Sequence, residues 1–412
     1  MVKAAALYIV IIVSILVAMI SVSLLTVAFY YRLGQQKKLR FERLHYNITS
    51  GMNLLLSKNY IASDTLNRLD VYGEGKDSLE LGKRKWGVFD LNTVKAFEQT
   101  DTLKQSFLTG SVFEDQSALY LADEDRPLSL SGSTQIIGNG ELPKSGLKQA
   151  YVDGKGYEGK ELIKGKIKDS SRALPALDQP IIDSLSRWFM TKEGLPVPAG
   201  DSVNNSFFEP LKVYHLKGGK ERLDNKILKG HLVLISDSIL SIGRDVQLQD
   251  VQVFAPAILI EEGFKGTCQL FARDSIIIGK HSVLGYPSFA AVLKPEKGTS
   301  QSKIKLGEGS RFYGTLLSYE KERTELQTLI SIDKDCLVKG EVYATGYIKF
   351  EKPVRVQGKV YAKRFIMQTP ATLYENYLID ISLDRKSLSR YYLSSFLIKA
   401  NQTNPQILKW LN

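Results

Sequence analysis

At 412 residues, with 55 Lys and Arg against 44 Asp and Glu, the chain has a formal net charge of +11 and exceeds the size of one ordinary domain. Two cysteines, Cys268 and Cys336, without clustered histidines exclude a disulfide framework and a Cys–His zinc module. The positive excess reads first as a solvated basic surface and second as an attraction for an anionic glycan or lipid, with no motif for a specific nucleic acid.

Residues 4–31, AAALYIVIIVSILVAMISVSLLTVAFYY, are uncharged over about 28 positions, where about 20 cross a bilayer as a helix. The run ends on Tyr30 and Tyr31, residues suited to the membrane interface, so an uncleaved single-pass anchor in lipid is expected for 1–31. Beyond it, Arg32, Lys37, Lys38, Arg40 and Arg43 stand against Glu42 alone, and the positive-inside rule would put the bulk of the chain in the cytoplasm.

KAAALYIVIIVSILVAMISVSLL, a polar and basic stretch and then SGMNLLLSKNY together resemble the minor pseudopilins of type II secretion and type IV pili. The resemblance covers about the first 60 residues and implies that everything after the helix lies outside the cytoplasm. It lacks the Gly-Phe-Thr-type leader and the Glu at the fifth position after one, so topology alone is carried over. We take an extracytoplasmic bulk as the expectation and a cytoplasmic one as the alternative.

Leu44, Ile48, Met52 and Leu55 recur at spacings of three and four, so 32–59 is expected as an amphipathic helical stalk or a stripe that packs on the next domain. Residues 60–125 are a mixed segment with Trp86, Val88 and Phe89 as core. From 126 to 170, Gly-punctuated apolar pieces read as short strands, early coils of the repeat that occupies the later part of the chain. Residues 171–229 contain DQPIIDSLSRWF and five prolines, and read as an insertion or linker with one helix.

GEVYATGYI and GKVYAKRFI say nearly the same thing eighteen residues apart. The triplet Val342-Tyr343-Ala344 recurs as Val360-Tyr361-Ala362, and earlier as Val253-Phe254-Ala255, Leu270-Phe271-Ala272 and Ser288-Phe289-Ala290. Leu234-Ile235-Ser236, Leu316-Leu317-Ser318 and Leu378-Ile379-Asp380 complete the series. Two of its intervals, of 28 and 26 residues, hold the polar inserts LKPEKGTSQSK and YEKERTELQ at coil corners. The expected fold is mainly β: a parallel β-solenoid over 230–380 of about 18 residues per coil, with a mixed α/β middle segment before it and a helical cap over 381–412 after it. Side chains alternate along a strand, so Phe254, Phe271, Phe289, Tyr343 and Tyr361 form an aromatic ladder on one face. Ala255, Ala272, Ala290, Ala344 and Ala362 form a small-residue ladder on the other. Interior stacking is the first reading of the aromatic ladder and a sugar- or partner-binding face the second.

CLVKGEVYATGYIKF and VRVQGKVYAKRFIMQ resemble the repeats of bactofilins, and the resemblance, over about 230–380, implies a polymer-forming β-helix. Asp384 or Ser387 as an N-cap, followed by apolar residues at helical spacing, would cover the last coil and oppose end-to-end stacking.

His281, in IIIGKHSVLGYPSF, is placed similarly to the base of hexapeptide-repeat acyltransferases, yet only one or two hexads fit and a turn histidine is the reading. His45, His215 and His231 are isolated, GSTQIIGNGELP is a turn, and Asp333 with Asp335 and Asp123-Glu124-Asp125 read as solvated loops. No catalytic, cofactor or metal site is expected. The functional expectation is a non-enzymatic, membrane-anchored scaffold with protein partners in a bacterial envelope assembly of secretion or pilus type. The alternatives are a cytoplasmic bactofilin-like scaffold and a β-helical enzyme on envelope polysaccharide or acyl groups.

Overall fold

A computed structural model describes residues 2–57, 60, 68–73, 75, 77–198, 200–218, 220–295, 300–369, 372–401 and 404–411. The chain is mainly strands, with one long N-terminal helix, and divides into two compact units. The first is Met1–Lys83 with Asn92–Gln105; the second is Arg84–Leu91 with Ser106–Asn412.

In the first unit, helix α1 (Val2–Leu56) is continuous, and its apolar N-terminal half is exposed, long and apolar enough to cross a membrane. Its C-terminal half is amphipathic: Leu44, Ile48 and Leu55 are buried. Gly51 lies on the same face, where a Cβ would stand 2.8 Å from Val94 and 2.9 Å from Leu81, so the stripe packs on the strand segments of its own unit. Two ion pairs fix this packing, Arg40 to Asp101 at 2.9 Å and Arg43 to the buried Glu98. A leucine at Gly51 overfills the contact, and Gly51→Leu is expected to cost about 1–3 kcal/mol, read as a lower Tm of the full chain in detergent.

The second unit is built on one closed, barrel-like sheet in which nearly every pairing is parallel. Its long strands, Gln247–Ile260, Lys265–Ile278, Cys336–Phe350 and Val354–Gln368, each span what elsewhere is broken into two or three shorter strands, and each pairs with the stretch one repeat away. Val342, Tyr343 and Ala344 stand opposite Val360, Tyr361 and Ala362, and Val253, Phe254 and Ala255 opposite Leu270, Phe271 and Ala272. Gly314, Gly340 and Gly358 follow one another in one column with φ of +142°, +137° and +149°. A Cβ on Gly358 would meet the Gly340 carbonyl oxygen at 1.7 Å, so each turn of that column needs glycine.

Residues 171–229, expected as an insertion or linker, hold Ser202–Asn205, Lys212–Leu216 and Lys220–Leu223, which pair in parallel with Ile227–Gly230, Leu232–Ser236 and Ile239–Ile242, so the paired rows begin before 230. The structure corrects three further sequence expectations. The row after Val360-Tyr361-Ala362 is Leu119-Tyr120-Leu121, not Leu378-Ile379-Asp380, which lies on another face opposite Leu130 and Ser131. The strands Ser117–Leu121, Leu128–Ser131, Gln135–Ile137 and Asn139–Leu142, though earlier in sequence, therefore extend the end of the stack formed by residues 354–384 and not the end formed by the rows near 230. The second correction is local. Gly266 pairs with Leu284 but Gln269 with Phe289, so two extra residues are absorbed around Gly285-Tyr286-Pro287, where proline offers no N–H to the ladder. Ala290-Ala291-Val292, not Ser288-Phe289-Ala290, is thus the row opposite Leu270-Phe271-Ala272, and Ala290 holds the first place instead of the third. A slip of two preserves the face, so Phe289 still neighbours Phe271, with centroids 6.0 Å apart.

Third, the helix expected over 381–412 is not what the described residues there form. They form the strands Ile381–Asp384, Leu393–Ser394 and Pro405–Leu411 and a 3-10 turn at Lys399–Asn401. Asp384 does cap, but its carboxylate accepts from the backbone N–H of Lys386 and Ser387 in a tight turn. Arg385, 3% exposed, then ties the turn down by donating to the Phe113 and Asp115 carbonyls.

Alternation splits the rows into two cores. Val253, Leu270, Ala290, Leu316, Val342 and Val360 belong to the core enclosed by the stack, and with them Ala255, Ala272, Ala344 and Ala362. Phe254, Phe271, Phe289, Tyr343 and Tyr361 belong to a second core on the opposite face. The aromatic ladder is therefore neither enclosed nor exposed: it points outward and is covered. Trp86, Val88, Phe89 and Leu91, helix α2 (Gln179–Trp188) and Leu397, Ile398 and Leu411 lie over it. The Gln269 amide from the ladder face accepts from Val88 N–H and donates to the Trp86 carbonyl, both at 3.0 Å, which pins the cover. Phe271 is fully buried against Phe254 at 4.7 Å, so Phe271→Ala is expected to cost about 3–5 kcal/mol in chemical denaturation of the full chain.

Candidate functional site

Within the second unit, the corner after the aromatic face is where the two polar inserts leave the repeat. Leu293 stands opposite Tyr319 at that corner. Arg273, Thr345 and Lys363 occupy it in other rows, each following the paired residues Ala272, Ala344 and Ala362. The first insert leaves after Leu293 and rejoins at Lys303; the second leaves after Tyr319 and rejoins at Leu329, and Lys303 and Leu329 pair again.

Helix α2 forms the facing wall. Asp178 caps it by accepting from Ile181 N–H, Pro180 sits in its first turn, and Ile181, Ile182 and Leu185 bury one side. At its C-terminal end, Trp188 stacks on Phe254 at 5.8 Å and the capping residue Phe189 meets it edge-on at 5.6 Å, so the outward aromatics position the helix. The wall, the inserts and the corner enclose an open groove of about 500 Å³ that reaches from Phe189 and Met190 to Tyr319 and Lys321. A second hollow of about 310 Å³ shares Tyr319 and Lys321 and extends to Tyr343 and Lys363.

The groove is mainly apolar on its floor and cationic at its edges. Arg273 lies 5.0 Å over the Phe189 ring at one end. At the other end Arg323 and Lys363 share Glu124, at 3.3 and 3.7 Å. Tyr319 donates to the Gln179 side chain at 3.4 Å across the opening, and burial raises its phenol pKa. The inserts are locked together by a buried pair: Lys294 donates to Thr324 at 2.7 Å and to the Leu326 carbonyl, with the Glu320 carboxylate at 3.9 Å. Burial pushes the Glu320 carboxyl up, and Lys294 offsets part of that rise.

Of the residues that the sequence singled out, Glu124 stands at one end of the groove and Tyr343 lines the second hollow, and the histidines and cysteines fall elsewhere. His281 is exposed in a left-handed turn at φ +54°, outside the groove. His215 and His231 are buried, their Nδ1 atoms bonded to the Lys192 and Glu209 carbonyls, and burial lowers the His231 pKa. Of the acidic triplet, Glu124 accepts from Arg364, Asp125 pairs with Arg172 at 2.8 Å, and Asp123 accepts from Asp125 N–H. Cys268 and Cys336 are free and buried, and burial pushes their thiols up to about 12 and about 11. Among the described residues no group of three or more His, Cys, Asp or Glu could hold a metal ion. The groove itself was not singled out from sequence. The signal that marks it was the pair of over-long intervals, since inserts in repeat proteins gather on one face.

Because the folded-state pKa of Glu320 is raised, its contribution is favourable below the ordinary carboxylate value of 4.5 and is lost as pH rises through the folded value. Lys294→Met leaves Glu320 buried without its cation, and limited proteolysis at 320–328 is expected to accelerate several-fold at neutral pH. Adding Glu320→Gln should restore most of the resistance and remove its pH dependence.

No family model, no curated protein and no solved structure matches this chain.

Proposed function

We propose that this protein is a membrane-anchored, non-enzymatic scaffold of a bacterial envelope assembly, with a β-solenoid that presents the groove to a partner outside the cytoplasm. The observation that carries the reading is the row-by-row parallel register, Val342-Tyr343-Ala344 on Val360-Tyr361-Ala362, in a chain whose first helix is long and apolar enough to cross a membrane. Repetition of this kind builds a stiff surface whose variable parts are its corners. Two parts of the basic flank also have a purpose unrelated to topology: Arg40 and Arg43 neutralise Asp101 and Glu98 in the folded first unit. That weakens the flank as a cytoplasmic signal and favours the pseudopilin-like topology over the cytoplasmic scaffold.

The test is a pair of reporters fused after Asn412, one active only outside the cytoplasm and one fluorescent only inside it. Activity outside is the expected result. Fluorescence inside would sink the envelope reading and leave the cytoplasmic scaffold.

A further inference from the structure

We propose that the groove under α2 binds a linear acidic glycan lying along the direction in which the rows stack. Four observations converge on this ligand, and the inference deepens the envelope reading by naming the partner's chemistry.

The first is dimension. Arg273, Leu293, Tyr319, Thr345 and Lys363 occupy one corner in five successive rows. At about 4.8 Å per row, the floor runs about 19 Å. One row is close to the length of one pyranose unit in an extended chain, so a linear glycan meets the same kind of corner at each sugar. The second is charge. Arg273, Lys321 and Lys363 are distributed along the length of the groove, with Arg323 beside them, against Asp183 on the helix wall, Glu320 in the second hollow and Glu124, which Arg323 and Lys363 share. Cations at intervals suit a polymer with one carboxylate per sugar better than a single compact anion.

The third is the mixture of ring faces and hydroxyl-sized polar groups. Tyr319, half-buried midway, and the Phe189–Arg273 stack at the end offer apolar faces with polar edges, the surface against which a sugar ring packs. The fourth is the architecture of the inserts. A bare stack needs none of the extra residues at these two corners, yet both inserts are tied to each other through Lys294 and wall the same groove. An acidic peptide fits less well. The floor is the side-chain surface of a sheet and not its edge, so a peptide backbone cannot pair with it.

The experiment uses the full chain in detergent or nanodiscs, titrated calorimetrically with oligogalacturonate as probe. A neutral gluco-oligosaccharide, polyglutamate and a single-stranded oligonucleotide are the comparators. Expected are saturable binding of the uronate, weakening with added salt, and no binding of the neutral glycan. Lys321→Glu, on the exposed part of the second insert, should weaken binding about tenfold at unchanged Tm, and Arg273→Gln with Lys363→Gln should weaken it about tenfold in protein that still unfolds cooperatively. Tyr319→Ala should weaken binding of the glycan while leaving any residual binding of polyglutamate unaltered.

Equal affinity for polyglutamate or the oligonucleotide would overturn the proposal in favour of an unselective basic surface. Binding that survives all the groove variants would place the site elsewhere, and absence of uronate binding would reject the ligand class. The reporters after Asn412 are independent of this assay, so a cytoplasmic C-terminus would remove the envelope reading without touching a measured affinity.

Discussion

The strand alternation that gives every row two apolar faces is the constraint on which the second unit depends. Val253 and Phe254 are neighbours in sequence, yet one belongs to the enclosed core and the other to the outer one. An enclosed core is satisfied by stacking alone. An outward column of Phe and Tyr is not, because each ring carries roughly 150–250 Å² that water must be kept from. The chain supplies cover from three distant places, Trp86 to Leu91, α2 and the segment that ends at Leu411. The cover is held by polar contacts as well as by packing: Gln269 binds the Trp86–Val88 backbone, Tyr343 donates to the Pro175 carbonyl at 2.9 Å, and Tyr120 to that of Ala173 at 2.8 Å.

The same rows explain how the chain closes. Val360-Tyr361-Ala362 offers a parallel edge, and Leu119-Tyr120-Leu121, from far earlier in the sequence, occupies it. An edge left open would be a template for association, so filling it from within the chain removes that liability at this row. The contact also carries a large loop-closure cost, because two stretches from opposite ends of the second unit must meet. Buried polar groups mark the junction. Lys359, 2% exposed, bonds to Glu141 at 3.0 Å and pairs with Asp115, whose carboxyl is raised by burial but lowered overall by Lys359.

The groove is a by-product of these two solutions. Covering the aromatic column brings α2 across the rows, and the helix then faces the corner from which both inserts emerge. The site is thus assembled from a cover element and from interruptions of the repeat, while the regular rows supply spacing and stiffness. Repeat architecture is tolerant of such additions, since a corner loop leaves the pairing on either side intact, as Lys303 opposite Leu329 shows.

Sequence alone determined what periodicity can encode. The apolar run of 4–31, the helical stripe of Leu44, Ile48 and Leu55, the row partners Val342 to Val360, and the face shared by Phe254 and Phe271 are local patterns of fixed spacing, and they were legible. Tertiary structure decided whatever depends on which distant segment competes best for a surface. It chose Leu119-Tyr120-Leu121 over Leu378-Ile379-Asp380 for the next row, because pairing energy does not depend on chain order. It shifted the row at Phe289 by two, a slip that leaves the apolar pattern of each face unchanged and so leaves no trace in it. It turned the expected C-terminal helix into turns and strands, because Asp384 and Arg385 found backbone partners that helical spacing could not announce. Of the groove, only the over-long intervals were visible in sequence. Its walls come from segments brought together by burial of the aromatic column, and a one-dimensional pattern records that a face is apolar without recording what covers it.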